Sequence, residues 1–221
     1  MLGSLLAVDA VLVALHVFGY YGLNVLGERW SIHTDGGYPE IVQYVKCLVA
    51  AVLALVGAAR RWPSLAVWAA ILAYIALDDM LRLHEQAAGI DVVERLTAGR
   101  DVPQQVLGEL VVAGSIGLVT VSLVAIGWWA ARGAARRAHV DLLALIVLFG
   151  AFSVLVDLVH GMVGGSWAGM ALGVLEDGGE LVVLSLVVAY AVHLVSGGAP
   201  LSVLDRSRHG SVRDAGLSGP G

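Results

Sequence analysis

Six apolar runs of about 20 residues or more divide this chain, and no proline falls in the interior of any of them. A run of that length spans the hydrocarbon of a bilayer when helical, because each backbone N–H and C=O then bonds within its own segment. The runs fall at Leu5–Leu26, Glu40–Arg60, Pro63–Gln86, Gln104–Arg132, Val140–Val163 and Ala168–Val195. Pro39, Pro63 and Pro103 stand at helix starts, where a missing N–H costs nothing, and Pro200 follows the last run. The expected fold is therefore all-α: a polytopic membrane protein with a bundle of about six transmembrane helices over residues 1–196. Residues 197–221 are rich in Gly, Ser and Arg and too poor in apolar side chains to order, so a disordered tail is expected there. With 58% hydrophobic and 14% charged residues, the 221-residue chain lacks the polar surface of a soluble domain.

The first run has no Lys or Arg before it and no small-residue cleavage site, so it reads as a membrane helix and not a signal peptide. Arg60 and Arg61, then Arg132, Arg136 and Arg137, then Arg206, Arg208 and Arg213 all fall on one side. The positive-inside rule assigns that side, and both termini, to the cytoplasm. The lone cysteine, Cys47, excludes an intrachain disulfide and a cysteine-rich metal site. No basic stripe suits a phosphate backbone, so nucleic acid is not an expected partner.

The acids carry the functional signal. Asp78, Asp79, Glu85, Glu109, Asp157, Glu176, Asp177 and Glu180 lie in or at the ends of apolar runs, with the cation Arg82 and the histidines His84 and His160 among them. Ionisable groups at membrane depth are costly and usually face a bundle interior. Counted from the cytoplasmic ends at about 1.5 Å per residue, Asp78, Asp157 and Glu180 share a level roughly 22–24 Å in. His160, Glu176, His84, Glu85 and Glu109 form a second layer at roughly 28–33 Å.

Helical phase points these groups inward. Asp78, Arg82 and Glu85 are spaced i, i+4, i+7 and are expected on one face, with Asp79 and His84 pointing elsewhere. Ser153, Asp157 and His160 lie on a stripe of small residues, as do Glu176 and Glu180, and small residues let membrane helices approach closely. So many carboxylates cannot all stay ionised and unpaired in a bundle; either some carry protons or a cation is bound.

Three patterns sharpen that choice. Asp157-x-x-His160 has the spacing by which a helix supplies two ligands to carboxylate-bridged metal sites. In Glu176–Glu180, EDGGE, two glutamates one turn apart flank glycines that permit close backbone approach or a break in the helix. The run Asp78–Glu85, DDMLRLHE, is the densest. Asp9 and His193 are expected at the interface, Lys46 is expected to snorkel or pair with an acid, and His16 reads as a hydrogen-bonded core histidine.

The segments LDDMLRLHE and LEDGGEL resemble the LDE…HE and late ED-x-x-E signatures of a group of uncharacterised bacterial multi-pass membrane proteins, with Asp79 in place of the more usual Glu. The resemblance implies an integral protein of the plasma (inner) membrane, bacterial or archaeal, and no particular activity. Ser153, Asp157 and His160 also fit loosely the zinc-ligand pattern of certain membrane hydrolases, but the late His-x-x-x-His pair of those enzymes is absent.

The sequence thus predicts a carboxylate–histidine site in the outer leaflet, facing the extracytoplasmic side. A divalent metal, Zn, Mn or Fe, is expected on Asp78, Asp157, His160, Glu176 and Glu180, supported by Arg82, His84, Glu85, Glu109 and Ser153. Such a metal could activate water against a lipid-like substrate arriving from the bilayer. The alternatives are a proton- or cation-coupled transporter or channel built on the same acids, and a non-catalytic sensor or assembly subunit whose acids only lock helices together.

Overall fold

The computed structural model describes residues 1–34, 36–83, 86, 95, 104–156, 159, 160, 163 and 167–201, with the side chains of 104–110 and 113 excepted. The protein is an all-α polytopic bundle. Helix α1 (Leu2–Ala14) continues as a π-helical segment, Leu15–Gly22. Helix α2 covers Tyr38–Arg60. A 3-10 turn, Pro63–Leu65, leads into α3 (Ala66–Leu81). Helix α4 covers Gln104–Ala130, and α5 (Ala134–Gly150) runs on as a π-helical segment, Ala151–Val156. Helix α6 covers Trp167–Val195. Pro39 and Pro63 sit in the first turns of their elements, as their positions in the sequence require.

Five of these helices among the described residues, Leu2–Gly22, Tyr38–Arg60, Pro63–Leu81, Ala134–Val156 and Trp167–Val195, are long and apolar enough to cross a membrane, and a shorter apolar stretch, Gly114–Ala130, lies in α4. Their outward faces carry Phe18, Val52, Leu118, Leu155 and Trp129, all well exposed. Such a surface would drive aggregation in water but is ordinary against lipid tails.

Helix α6 is the axis of the bundle, packed against α1, α2, α5 and the π-helical segment that follows α5. Helices α1 and α6 are antiparallel neighbours, since Asp9 meets Ser185 while Val13 lies over Gly178. The start of α1 and the end of α6 therefore share one end, called here the terminal end; residues 23–37 lie at the other, the distal end. Ala50, Ala51, Leu72, Val183, Val187 and Val188 fill the terminal half with a fully apolar layer. Nearer that end, Trp68 donates its indole N–H to buried His139, at 2.7 Å. Helix α4 is peripheral, and much of its apolar face looks outward.

Two departures from the expected spans matter for the site. The third span stops at Leu81, not Gln86, because Arg82 adopts a left-handed conformation (φ 51°, ψ 45°) that ends the helix. Arg82 therefore leaves the helical face expected to join it to Asp78, and Glu85, the third member of that face, lies outside the described residues. The second departure is the distal loop. The chain doubles back over Gly19, whose carbonyl accepts from the N–H groups of Val25 and Leu26. That turn carries Ser31 and Ile32 into buried positions over the mouth of the bundle.

Candidate functional site

The distal half of α6 presents three acids in five residues, Glu176, Asp177 and Glu180. Each meets a different element. The Nδ1–H of His33, brought in by the distal loop, donates to Asp177 Oδ2. The Nδ1–H of His160 donates to Glu176 Oε2 at 3.0 Å. Ser153, on the π-helical segment after α5, donates to Glu180 Oε1, and Gln43 of α2 donates to Glu180 Oε2 at 3.4 Å. A carboxylate only accepts, so in the neutral form of each imidazole the proton sits on Nδ1, and the Nε2 lone pair meets no partner among the described residues.

Glycines of α6 make this convergence possible. A Cβ at Gly173 would stand 2.6 Å from Cε1 of His33 and 2.9 Å from Cε1 of His160, so the two rings close over the bare backbone. The Phe152 ring occupies the space beside Gly179, and Val13 lies over Gly178 at contact distance. Helix α6 is continuous through EDGGE, so these glycines admit neighbouring side chains and do not break the helix.

His16, on the π-helical segment after α1, is fully buried behind His33, with the two rings edge to face at 4.7 Å. The backbone N–H of Ile32 donates to His16 Nδ1 at 3.2 Å, which confirms a hydrogen-bonded buried histidine. Its proton therefore lies on Nε2, and that donor has no partner among the described residues.

Of the residues singled out in the sequence, the site thus gathers His160, Glu176, Glu180 and Ser153. Asp78 is half-buried and accepts from the Tyr74 hydroxyl at 3.2 Å, one turn back on its own helix. Asp79 points elsewhere than Asp78, as helical phase suggested: it lies within electrostatic reach of Glu180 on α6 and of Cys47 and Tyr44 on α2. Arg82 is the residue at which α3 ends. Asp157, His84 and Glu85 lie outside the described residues; Glu109 falls on α4, with its side chain outside them. Among the described residues, no three His, Cys, Asp or Glu side chains are already arranged as a metal centre.

A second polar group lies deeper. The Lys46 ammonium of α2 pairs with Asp9 of α1 and donates to the Leu181 carbonyl of α6 at 3.0 Å. Ser185 donates to the other Asp9 oxygen at 2.6 Å. Asp9 is thus a core residue, 1% exposed, and not the interfacial group its place near a helix end suggested. The expected partnership of Lys46 with an acid holds, and the acid is Asp9.

Sequence reasoning missed His33 and Gln43, and it marked Asp177 and Lys46 without naming the partners they meet. His33 sits in a loop, where no periodicity marks direction. The Asp9–Lys46 pair had a usable signal: opposite charges on two consecutive membrane helices.

An apolar cleft of about 290 Å³ opens between α3 and α4, lined by Ala70, Ile71, Tyr74, Ser115, Val119 and Leu123 among others. It brings bilayer-facing space up to Tyr74 and hence to Asp78.

Compared with known proteins, residues 5–194 match the profile of a family described as Domain of unknown function (DUF8692). No curated protein and no solved structure matches.

Proposed function

The chain belongs to the DUF8692 family, and on that premise we propose that it binds a divalent cation at the distal end of the membrane bundle, on the extracytoplasmic side of a plasma membrane. The carrying observation is the set of partners around α6. Asp177 meets an imidazole, and Glu180 meets a hydroxyl and a carboxamide, groups that bring no fixed positive charge. The lysine nearest to them, Lys46, is committed to Asp9. Concentrated negative charge with neutral donors around it favours a bound cation. Arginines 60, 61, 132, 136 and 137 at the terminal end support the orientation.

A transition metal there would polarise an oxygen ligand or activate a bound water. A lipid-like substrate for a hydrolase built on that metal would arrive from the bilayer, and the apolar cleft between α3 and α4, which leads to Tyr74 and Asp78, is the route proposed for it. The competing reading is proton- or cation-coupled transport. It draws on the file Glu180–Gln43 and, one turn along α2, Lys46–Asp9–Ser185, which reaches mid-bundle before the apolar layer begins.

Elemental analysis of tag-free, detergent-purified protein tests the proposal. One divalent metal per chain, reduced in Glu180→Gln, is the expected result. Protein that takes up no Zn, Mn or Fe after incubation and desalting, yet carries pH-driven ion flux in liposomes, would replace this reading with transport.

A further inference from the structure

We propose that His33 and His160 bind a transition-metal ion through their Nε2 atoms, with Asp177 and Glu176 as the carboxylates that orient them; the proposal rests on the cation-binding reading above and names its ligands. Metal-ligating histidines characteristically donate their other ring N–H to a carboxylate, which fixes the tautomer and makes the free nitrogen a better donor. Both rings are in that state. Each Nδ1 is held by an acid from consecutive positions of α6. Neither Nε2 has a partner among the described residues.

The rings also face each other across the same spot. Their ε edges close over Gly173, where Cε1 of both rings, and Nε2 of His33 at 3.1 Å, approach the position a Cβ would take. The ring centroids are 6.2 Å apart. Two imidazoles bound at about 2.0–2.1 Å to one tetrahedral ion would hold their centroids about 5 Å apart. Closure by about 1 Å completes the bite, and both side chains, 26% and 34% exposed, have room to make it.

His16 supplies an independent sign of a ligand. It is 0% exposed, its Nδ1 is occupied by the Ile32 N–H, and its Nε2–H is a buried donor with no acceptor among the described residues. An unsatisfied buried donor is uncommon and calls for a missing partner. Because Nε2 carries the proton, His16 is not itself a ligand to the ion. Its ring packs against His33, edge to face at 4.7 Å, and the partner assigned to its Nε2–H is an oxygen, of water or substrate, held at the site. Two protein nitrogens with the remaining positions open describe an exchangeable site and not a closed structural one. Imidazole ligation with solvent favours Zn, Fe or Mn over the alkaline-earth ions.

The test is Co2+ titration of tag-free, full-length protein in detergent, read by ligand-field absorption and by competition with Zn2+. His33→Gln and His160→Gln should each weaken binding at least tenfold, and Asp177→Asn or Glu176→Gln about 10–100-fold. Gly173→Ala, which leaves every donor in place but displaces both rings, should also weaken it. On the unmodified chain, bound Zn2+ should protect His33 and His160 from diethylpyrocarbonate, read by peptide mass. Tight metal binding that survives both histidine variants, with both rings still open to the reagent, would overturn this ligand assignment and leave the broader cation reading intact. A chain that binds neither metal would overturn both.

Discussion

The bundle holds two groups of charged and polar side chains that differ in how completely they are used. At mid-depth, Lys46 and Asp9 are 5% and 1% exposed, and between them Ser185 and the Leu181 carbonyl satisfy what the ion pair leaves over. At the distal end, His33 and Asp177 are 26% and 22% exposed, His160 is 34%, and each ring has a nitrogen with no partner among the described residues. A sealed, saturated cluster has nothing left to offer a ligand, so its job is to join helices. A half-open cluster with unspent donors is where chemistry can enter. Polar residues in a membrane bundle are therefore better sorted by residual capacity than by charge.

The largest expected effect tests the sealed group. Asp9→Ala or Lys46→Ala alone strands a buried charge and should cost about 3–5 kcal/mol, measured by denaturant unfolding in detergent micelles. Lys46→Met combined with Asp9→Leu should recover most of that loss, because apolar packing replaces a buried pair at little or no cost. Single variants as stable as the parent would mean that water reaches the pair, and the contrast would collapse.

Next come the glycines that bring the walls of the open group together. Gly179→Ala pushes a methyl into the Phe152 ring and should cost about 1–3 kcal/mol as overpacking. Gly178→Ala meets Val13 at an ordinary 3.4 Å and should change stability by less than about 0.5 kcal/mol. Equal melting temperatures for the two variants would show that α6 can slide away from α5.

Glu180→Gln sharpens the contrast from the other side. The amide keeps an oxygen for Ser153 or Gln43, so unfolding should shift by under about 1 kcal/mol, while divalent-metal uptake falls with the lost negative charge, though less than in Asp177→Asn or Glu176→Gln, because Glu180 holds neither ring. A large stability loss with unchanged metal content would move Glu180 into the structural group. The smallest effect is expected on peripheral α4. Ser122 is exposed and donates only to the Leu118 carbonyl of its own helix, so Ser122→Ala should stay within about 0.5 kcal/mol.

How much of this was legible beforehand follows from what a sequence encodes locally. Hydropathy and proline placement located the helices, because span length is set by the bilayer and not by neighbours. Helix ends were read less well where backbone conformation decided them: nothing in the composition around Arg82 announces a left-handed residue. That one dihedral takes Arg82 off the face expected to join it to Asp78, while Asp79, set apart from that face by helical phase, comes within electrostatic reach of Glu180. Small-residue spacing on α6 did announce close approach, since a glycine's missing side chain is a local fact. What entered the gap at Gly173 was not local, because His33 arrives from 140 positions earlier on a loop folded back over Gly19.

The Asp9–Lys46 pair also bears on how such a chain enters a bilayer. A lone charge near the centre of an inserting helix costs about 2.5–3.5 kcal/mol on translocon scales. The first two helices carry one such charge each, of opposite sign, so they partition most readily as a neutralised hairpin and not one after the other. Ser185, synthesised 139 positions after Lys46, then caps Asp9 and fastens the last helix to be made against the first.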